Sequence, residues 1–138
     1  MTDNSLKVGT YLRNILVNNA ALMNVITADK IFPIVALPDT KYPYVTYTRD
    51  NVFPNYTKAA PVGGWSNQLQ FTYRVYTGYE GNAHDIGEDI ANKIREALEW
   101  VQYKDNDIVI HPIELISATE YFADDSFCQQ LTFKIIAE

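Results

Sequence analysis

The sequence predicts an α+β fold: a single mixed or antiparallel β-sheet of about five to six strands, with two main helices packed on one face. Three observations predict it. Residues Asn67 to Tyr76 alternate apolar and polar side chains without a break, the period of a strand with one buried face. Residues Ala83 to Val101 repeat apolar positions every three or four residues, the period of an amphipathic helix. The last third returns to β-rich segments joined by short turns, which pair antiparallel and leave the helices to cover one sheet face.

The elements follow in order. Leu6, Tyr11, Leu12, Ile15 and Leu16 form an apolar stripe that predicts a helix from about Ser5 to Asn18, with Asn4 or Ser5 as its cap. A helical turn over Ala20 to Val25 would bury Leu22, Met23 and Ile26. Ile31 to Val35 is β-rich, but Pro33 lacks a ladder donor, so it reads as an edge or irregular strand. Pro38, Asp39 and Thr40 turn the chain. Tyr44 to Arg49 is a strand of β-branched and aromatic residues. In the next strand, Leu69, Phe71, Tyr73 and Val75 face the core, and Gln68, Gln70, Thr72 and Arg74 face away.

The second helix runs from about Ala83 to Trp100, with Ala83, Ile86, Ile90, Ile94, Ala97, Leu98 and Val101 as its buried stripe. Asn82 is its expected cap, and Asp85, Glu88 and Asp89 sit where the helix dipole favours negative charge. A polar turn at Lys104 to Asn106 precedes Asp107–His111 and a strand over about Ile113 to Tyr121. Ala123 to Ser126 turns into a closing strand, Phe127 to Ile136.

The 138 residues suit one domain, residues 1–138, without linker or repeat. The apolar share of 47% supports a packed core rather than disorder. The formal net charge of −6, with no Lys/Arg run, argues against direct nucleic-acid or anionic-membrane binding. No stretch of about 20 apolar residues exists to span a membrane, and Met1 to Lys7 lacks the apolar core of a signal peptide. Cytoplasmic synthesis is therefore the expectation. With one cysteine, Cys128, no intrachain disulfide can form. The triplet Asn55-Tyr56-Thr57 matches a glycosylation sequon, which has no meaning without export.

Reactive chemistry is sparse. His84 with Asp85, Glu88 and Asp89 has metal-ligand types one turn apart, but a charged helix start explains them without a metal. His111 is the only second histidine available for a shared site. Cys128 lies in a strand pattern, where cysteine behaves as a small apolar residue rather than a nucleophile. Asp124-Asp125-Ser126 lacks the remaining spacing of a calcium loop, and Gly63-Gly64 precedes a strand rather than a phosphate-binding helix. No catalytic residue, metal or cofactor is expected.

Ten tyrosines are many for this length. Tyr44, Tyr47, Tyr73 and Tyr76 fit strands, and tyrosine is also enriched at subunit interfaces. Asn51 to Ser66 reads as a long irregular excursion containing Pro54, Pro61, Gly63 and Gly64. Its Phe53, Tyr56 and Trp65, with Lys58 among them, are candidate interaction residues, because such aromatics in a loop pack on the loop's own domain or on a neighbour.

Three stretches resemble a phage tail-completion family related to the tail terminators of long-tailed phages. They are Ile31-Phe32-Pro33 with Tyr42-Pro43-Tyr44-Val45-Thr46-Tyr47; Leu69 to Tyr76 leading through Tyr79-Glu80 into Ala83 to Leu98; and Glu120-Tyr121, the Asp124-Asp125 turn and Leu131-Thr132-Phe133. The resemblance spans about Leu6 to Ile136 and rests on patterns of strand, turn and helix. It implies a non-enzymatic virion-tail protein that closes the head-proximal end of a tail tube as a hexameric ring. Its partners would be copies of itself, the tail tube protein and the head–tail connector, and assembly would occur in the host cytoplasm. The long Asn51–Ser66 excursion departs from the family pattern. A generic host adaptor is one alternative reading, and the residues leave two more open. One is another head–tail connector or minor tail component. The other is a small cytoplasmic enzyme or ligand-binding domain using His84, His111 or Cys128.

Overall fold

A computed structural model of the chain describes residues 4–55 and 66–138. Among them, a 3-10 turn (Ser5–Lys7) leads into α1 (Val8–Val17), followed by the short α2 (Ala20–Met23). Strands β1 (Ile31–Pro33), β2 (Tyr44–Asn55) and β3 (Ser66–Tyr76) precede α3 (Ala83–Leu98). Then come β4 (Tyr103–Lys104), β5 (Val109–Ile110), β6 (Glu114–Ala123) and β7 (Ser126–Ala137). The described strands form one seven-stranded sheet in the order β1-β2-β3-β7, so the α+β expectation holds. The free side of β7 pairs with β6 along most of its length and with β5 at Ala137, and β4 lies beyond β5. All pairings are antiparallel except β1 with β2, which makes the sheet mixed.

Helices α1 and α3 pack together over one sheet face. Leu12 and Leu16 meet Ile90, Ile94 and Leu98 there, above Leu69, Phe71, Tyr73, Val75, Phe133 and Ile135. Each fully buried aliphatic side chain contributes about 1.5–3 kcal/mol by leaving water. Gly9 on α1 brings that helix close enough that a Cβ there would lie 3.2 Å from the Phe71 ring. The face opposite the helices is polar, as the alternation predicts. Thr72 and Thr132 hydroxyls share a 3.3 Å contact, and the Arg74 Nε donates to Gln130 at 3.2 Å.

Several boundaries differ from the sequence expectation. The opening turn is 3-10, so the helical phase starts later. Leu6, expected in the buried stripe, is exposed, and Val8 takes its place. Asn4 caps nothing with its side chain, which donates instead to the Asp107 carbonyl at 2.9 Å. The cap that does form is Asn19, whose side chain accepts from the Leu22 amide at 2.9 Å and starts α2. In α3, Asn82 makes no side-chain cap, Ile86 is exposed, and Gly87 is buried against Thr77 and Gln129. That helix ends at Leu98, and Trp100 turns outward with φ 65°.

The largest correction concerns Asn51–Ser66. Asn51 to Asn55 continue β2, paired with Ser66 to Gln70, after a bulge at Asp50 whose carboxylate accepts from the Thr72 hydroxyl. A bulge carries a strand past a polar residue without ending it, so Asn51–Asn55 and Ser66 are strand, and residues 56–65 of the expected excursion lie outside the described residues. Strand β4 was unforeseen, whereas β5 falls within Asp107–His111, the segment expected after the Lys104–Asn106 turn. The Asp105 carboxylate accepts from the Asp107 and Ile108 amides and closes the turn between them.

Tyr73 is fully buried, and its hydroxyl has no hydrogen-bond partner among the described residues. Burial pushes its pKa upward. A buried hydroxyl without a partner costs about 1–3 kcal/mol. Tyr73→Phe should therefore raise stability by about 1 kcal/mol, read as a higher urea midpoint at constant m-value; a lower midpoint would show that the hydroxyl is satisfied.

Candidate functional site

Three residues were candidates for chemistry. His84 opens α3 and donates from Nε2 to the Glu120 carboxylate on β6 at 2.8 Å. Gln129 on β7 donates to the same oxygen at 2.8 Å and fixes it. The His84 Nδ1 lies 3.5 Å from Glu88 and 3.8 Å from Asp85. His84, Asp85 and Glu88 offer ligand-type atoms within 4.8 Å of one another, but all three are solvated to a large degree. His111 is at the far end of β7, where its amide donates to the Ile136 carbonyl and its Nε2 lies 3.2 Å from Glu138. The two histidines therefore do not share a site.

Cys128 and His84 both border a recess of about 260 Å³ at the tip of the β6–β7 hairpin. Cys128 is buried, and desolvation raises its thiol pKa, the opposite of what a nucleophile needs. Both ring nitrogens of His84 face carboxylates rather than the thiol. The arrangement ties α3 to the hairpin and supplies no activated nucleophile.

The Glu120 hydrogen bond, outweighing desolvation, raises the His84 pKa above 6.5, and Gln129 and His84 lower that of Glu120 below 4.5. A raised histidine pKa stabilises the fold below about pH 6.5 and loses that effect as pH rises through the folded value. A lowered carboxylate pKa stabilises above about pH 4.5 and loses that effect as pH falls through the folded value. The tie is therefore strongest between those limits. In a proton NMR titration, His84 should show a pKa above 6.5 that falls back in Glu120→Gln; no change in that variant would remove the assignment.

The prominent surface features are the two ends of the sheet. At one end, β6 is an edge strand, and eight of its ten residues are exposed. Ile116, Tyr121 and Phe122 project from it into solvent, and Phe122 packs edge-on against Phe127 at 5.3 Å. The hairpin turns through Asp124 and Asp125 at φ 52° and 57°, the left-handed values that a two-residue hairpin turn requires.

At the other end, β1 covers β2 only from Val45 to Tyr47, leaving the outer side of residues 48–55 without a strand partner among the described residues. Ile34, Val35 and Leu37 follow β1 and are exposed, the first two at 72%. Phe53, exposed at 50%, lies on this stretch of β2. It sits on a regular strand rather than in a loop. Tyr56, Lys58 and Trp65 lie outside the described residues. A row of cross-strand neighbours links the two ends on the face away from the helices: Tyr44, Tyr76, Cys128 and Tyr121.

No protein-family model and no curated protein sequence matches the chain. Solved structures do. A chain of the virion of a native gene transfer agent particle superposes with a TM-score of 0.77 at 17% identity, over 92% of this chain and 91% of that one. A second solved chain gives a TM-score of 0.62 at 11% identity, over 100% of this chain and 97% of its own length. These likenesses show that the chain adopts a fold already known, over nearly the full length of each chain compared.

Proposed function

We propose that this chain is a structural subunit of a phage-type particle, a tail-completion protein that closes the head-proximal end of a tail tube. It works by docking rather than by catalysis. Six copies form a ring, one face of which meets the tube while the other meets the head–tail connector. The observation that carries this reading is the end-to-end superposition on a chain of a gene transfer agent virion. Support also comes from the resemblance of Ile31–Tyr47, Leu69–Leu98 and Glu120–Phe133 to the tail-completion family.

The surface suits this role. A repeated head-to-tail contact closes a ring when its rotation divides a full turn, and such a contact needs two different patches on one subunit. The sheet has two unlike ends, each with exposed apolar side chains. Tube closure also needs recognition of neighbours in a defined order, which weak contacts that strengthen on docking provide.

Deleting the gene in a particle-producing strain tests the role. Tails of uncontrolled length, or finished tails unattached to heads, are expected under electron microscopy, with recovery on complementation. Normal joined particles would reject the proposal. Joined heads with altered tail tips would favour a minor tail component instead.

A further inference from the structure

We propose that two free edges of the sheet bind each other between copies, the β6 edge of one subunit docking on the β1–β2 edge of the next. This pairing rests on the ring reading above and names the surfaces that would close it. Three observations carry it.

The first is charge. Strand β6 and its turn, residues 114–125, carry four carboxylates and no lysine or arginine. Residues 28–55, which hold β1 and β2, carry three lysines and arginines against three carboxylates, of which Asp29 and Asp50 accept from the Thr27 and Thr72 hydroxyls. Along the β1–β2 edge, Lys30, Lys41 and Arg49 donate to backbone carbonyls or project into solvent, and none has a carboxylate partner among the described residues. At the β6 end, Glu120, Asp124 and Asp125 are exposed. An acidic β6 end and cations without carboxylate partners at the β1–β2 edge favour head-to-tail contact over β6-to-β6 contact.

The second is the open strand itself. An exposed edge invites pairing unless lysine, proline or a covering element blunts it. Strand β6 contains no lysine, arginine or proline over its ten residues and is uncovered on its outer side among the described residues.

The third is shape. Ile34 is a β-branched residue held at φ 66°, where the Val35 amide donates to the Pro33 carbonyl at 2.7 Å. That conformation is unfavourable for such a side chain, and the turn leaves Ile34 and Val35 in solvent. Beside them is a recess of about 280 Å³ bordered by Leu6, Gly9, Ile34, Tyr47 and Phe71. It is of side-chain size. Phe122, exposed at 54%, is the apolar projection at the opposite end. A second copy of this chain therefore supplies acid for base, strand for strand and knob for recess.

The test uses a mixture of unlabelled and 15N-labelled chain at low salt and high concentration, treated with a zero-length carbodiimide cross-linker and imaged in parallel by electron microscopy. Peptides of mixed isotope joining Lys30 or Lys41 to Glu120, Asp124 or Asp125 are expected, with yields falling severalfold as salt is raised. Sedimentation should show that Ser117→Lys with Thr119→Lys abolishes association. In the otherwise unchanged chain, Lys30→Glu with Lys41→Glu should also weaken it severalfold, because carboxylates would then face Glu120, Asp124 and Asp125. Links between like ends, links elsewhere, or no links between copies would overturn the pairing. Rings seen without these links would sink the pairing and leave the ring reading intact. These links without rings would do the reverse.

Discussion

Replacing Phe133 with alanine should cost about 3–5 kcal/mol of folding stability. Phe133 is fully buried at the middle of β7, edge-on to Tyr73 at 5.9 Å, and paired across strands with Phe71 and Leu115. It touches the one strand that joins the β2–β3 hairpin to β6. Large-to-small changes at such sites lose transfer energy and leave a cavity that rigid neighbours cannot fill. A domain of this length is stable by only about 5–15 kcal/mol, so a substantial part of the margin goes. Phe133→Leu, which keeps most of the volume, should cost roughly 1 kcal/mol. Urea unfolding of both variants checks this; a loss below about 1 kcal/mol for the alanine would mean that β7 is not the centre of the core.

The second large effect concerns docking. Replacing Phe53, Tyr56 and Trp65 together by serine should leave a folded subunit that cannot complete tails. Phe53 is half-exposed on the uncovered part of β2, so its removal takes little from the core. At a docking surface, aromatic anchors dominate the binding energy, at about 2 kcal/mol or more each. Losing three would reduce infectious or transducing particles by orders of magnitude while circular dichroism stays unchanged. Full complementation by the triple variant would remove these residues from the assembly surface.

The sequence carried the core more clearly than the boundaries. The strict alternation of Leu69, Phe71, Tyr73 and Val75 could belong only to a half-buried strand, and all four are buried. The helix over Ala83–Leu98 was legible because Ala83, Ile90, Ile94, Ala97 and Leu98 keep one helical phase, and all five are buried. Ile86 fell out of that stripe because Gly87 lets α3 lie close to Thr77, a contact that no periodicity encodes. Residues Asn51–Asn55 looked irregular because Pro54 and the polar run lower strand propensity, yet pairing with β3 overrides it. Strands β4 and β5 have two residues each and exist through tertiary pairing.

The site was less legible than the fold. His84 and Glu120 are 36 residues apart, and nothing in either neighbourhood announces their contact. The acidic character of residues 114–125 is visible in the sequence. Its meaning depends on β1 and β6 lying at opposite ends of the sheet, which strand order alone decides. Exposed Ile34 and Val35 read as an edge strand from their residue types, but the turn that places them in solvent depends on a left-handed backbone at Ile34.

The role in tail completion is tested most directly by electron cryomicroscopy of assembled particles. The account predicts a single ring of six copies of this α+β subunit at the head-proximal end of the tube, with the β6 edge of each against β1–β2 of the next. Density for the fold at the distal tip or in the capsid, or its absence from the particle, would contradict it.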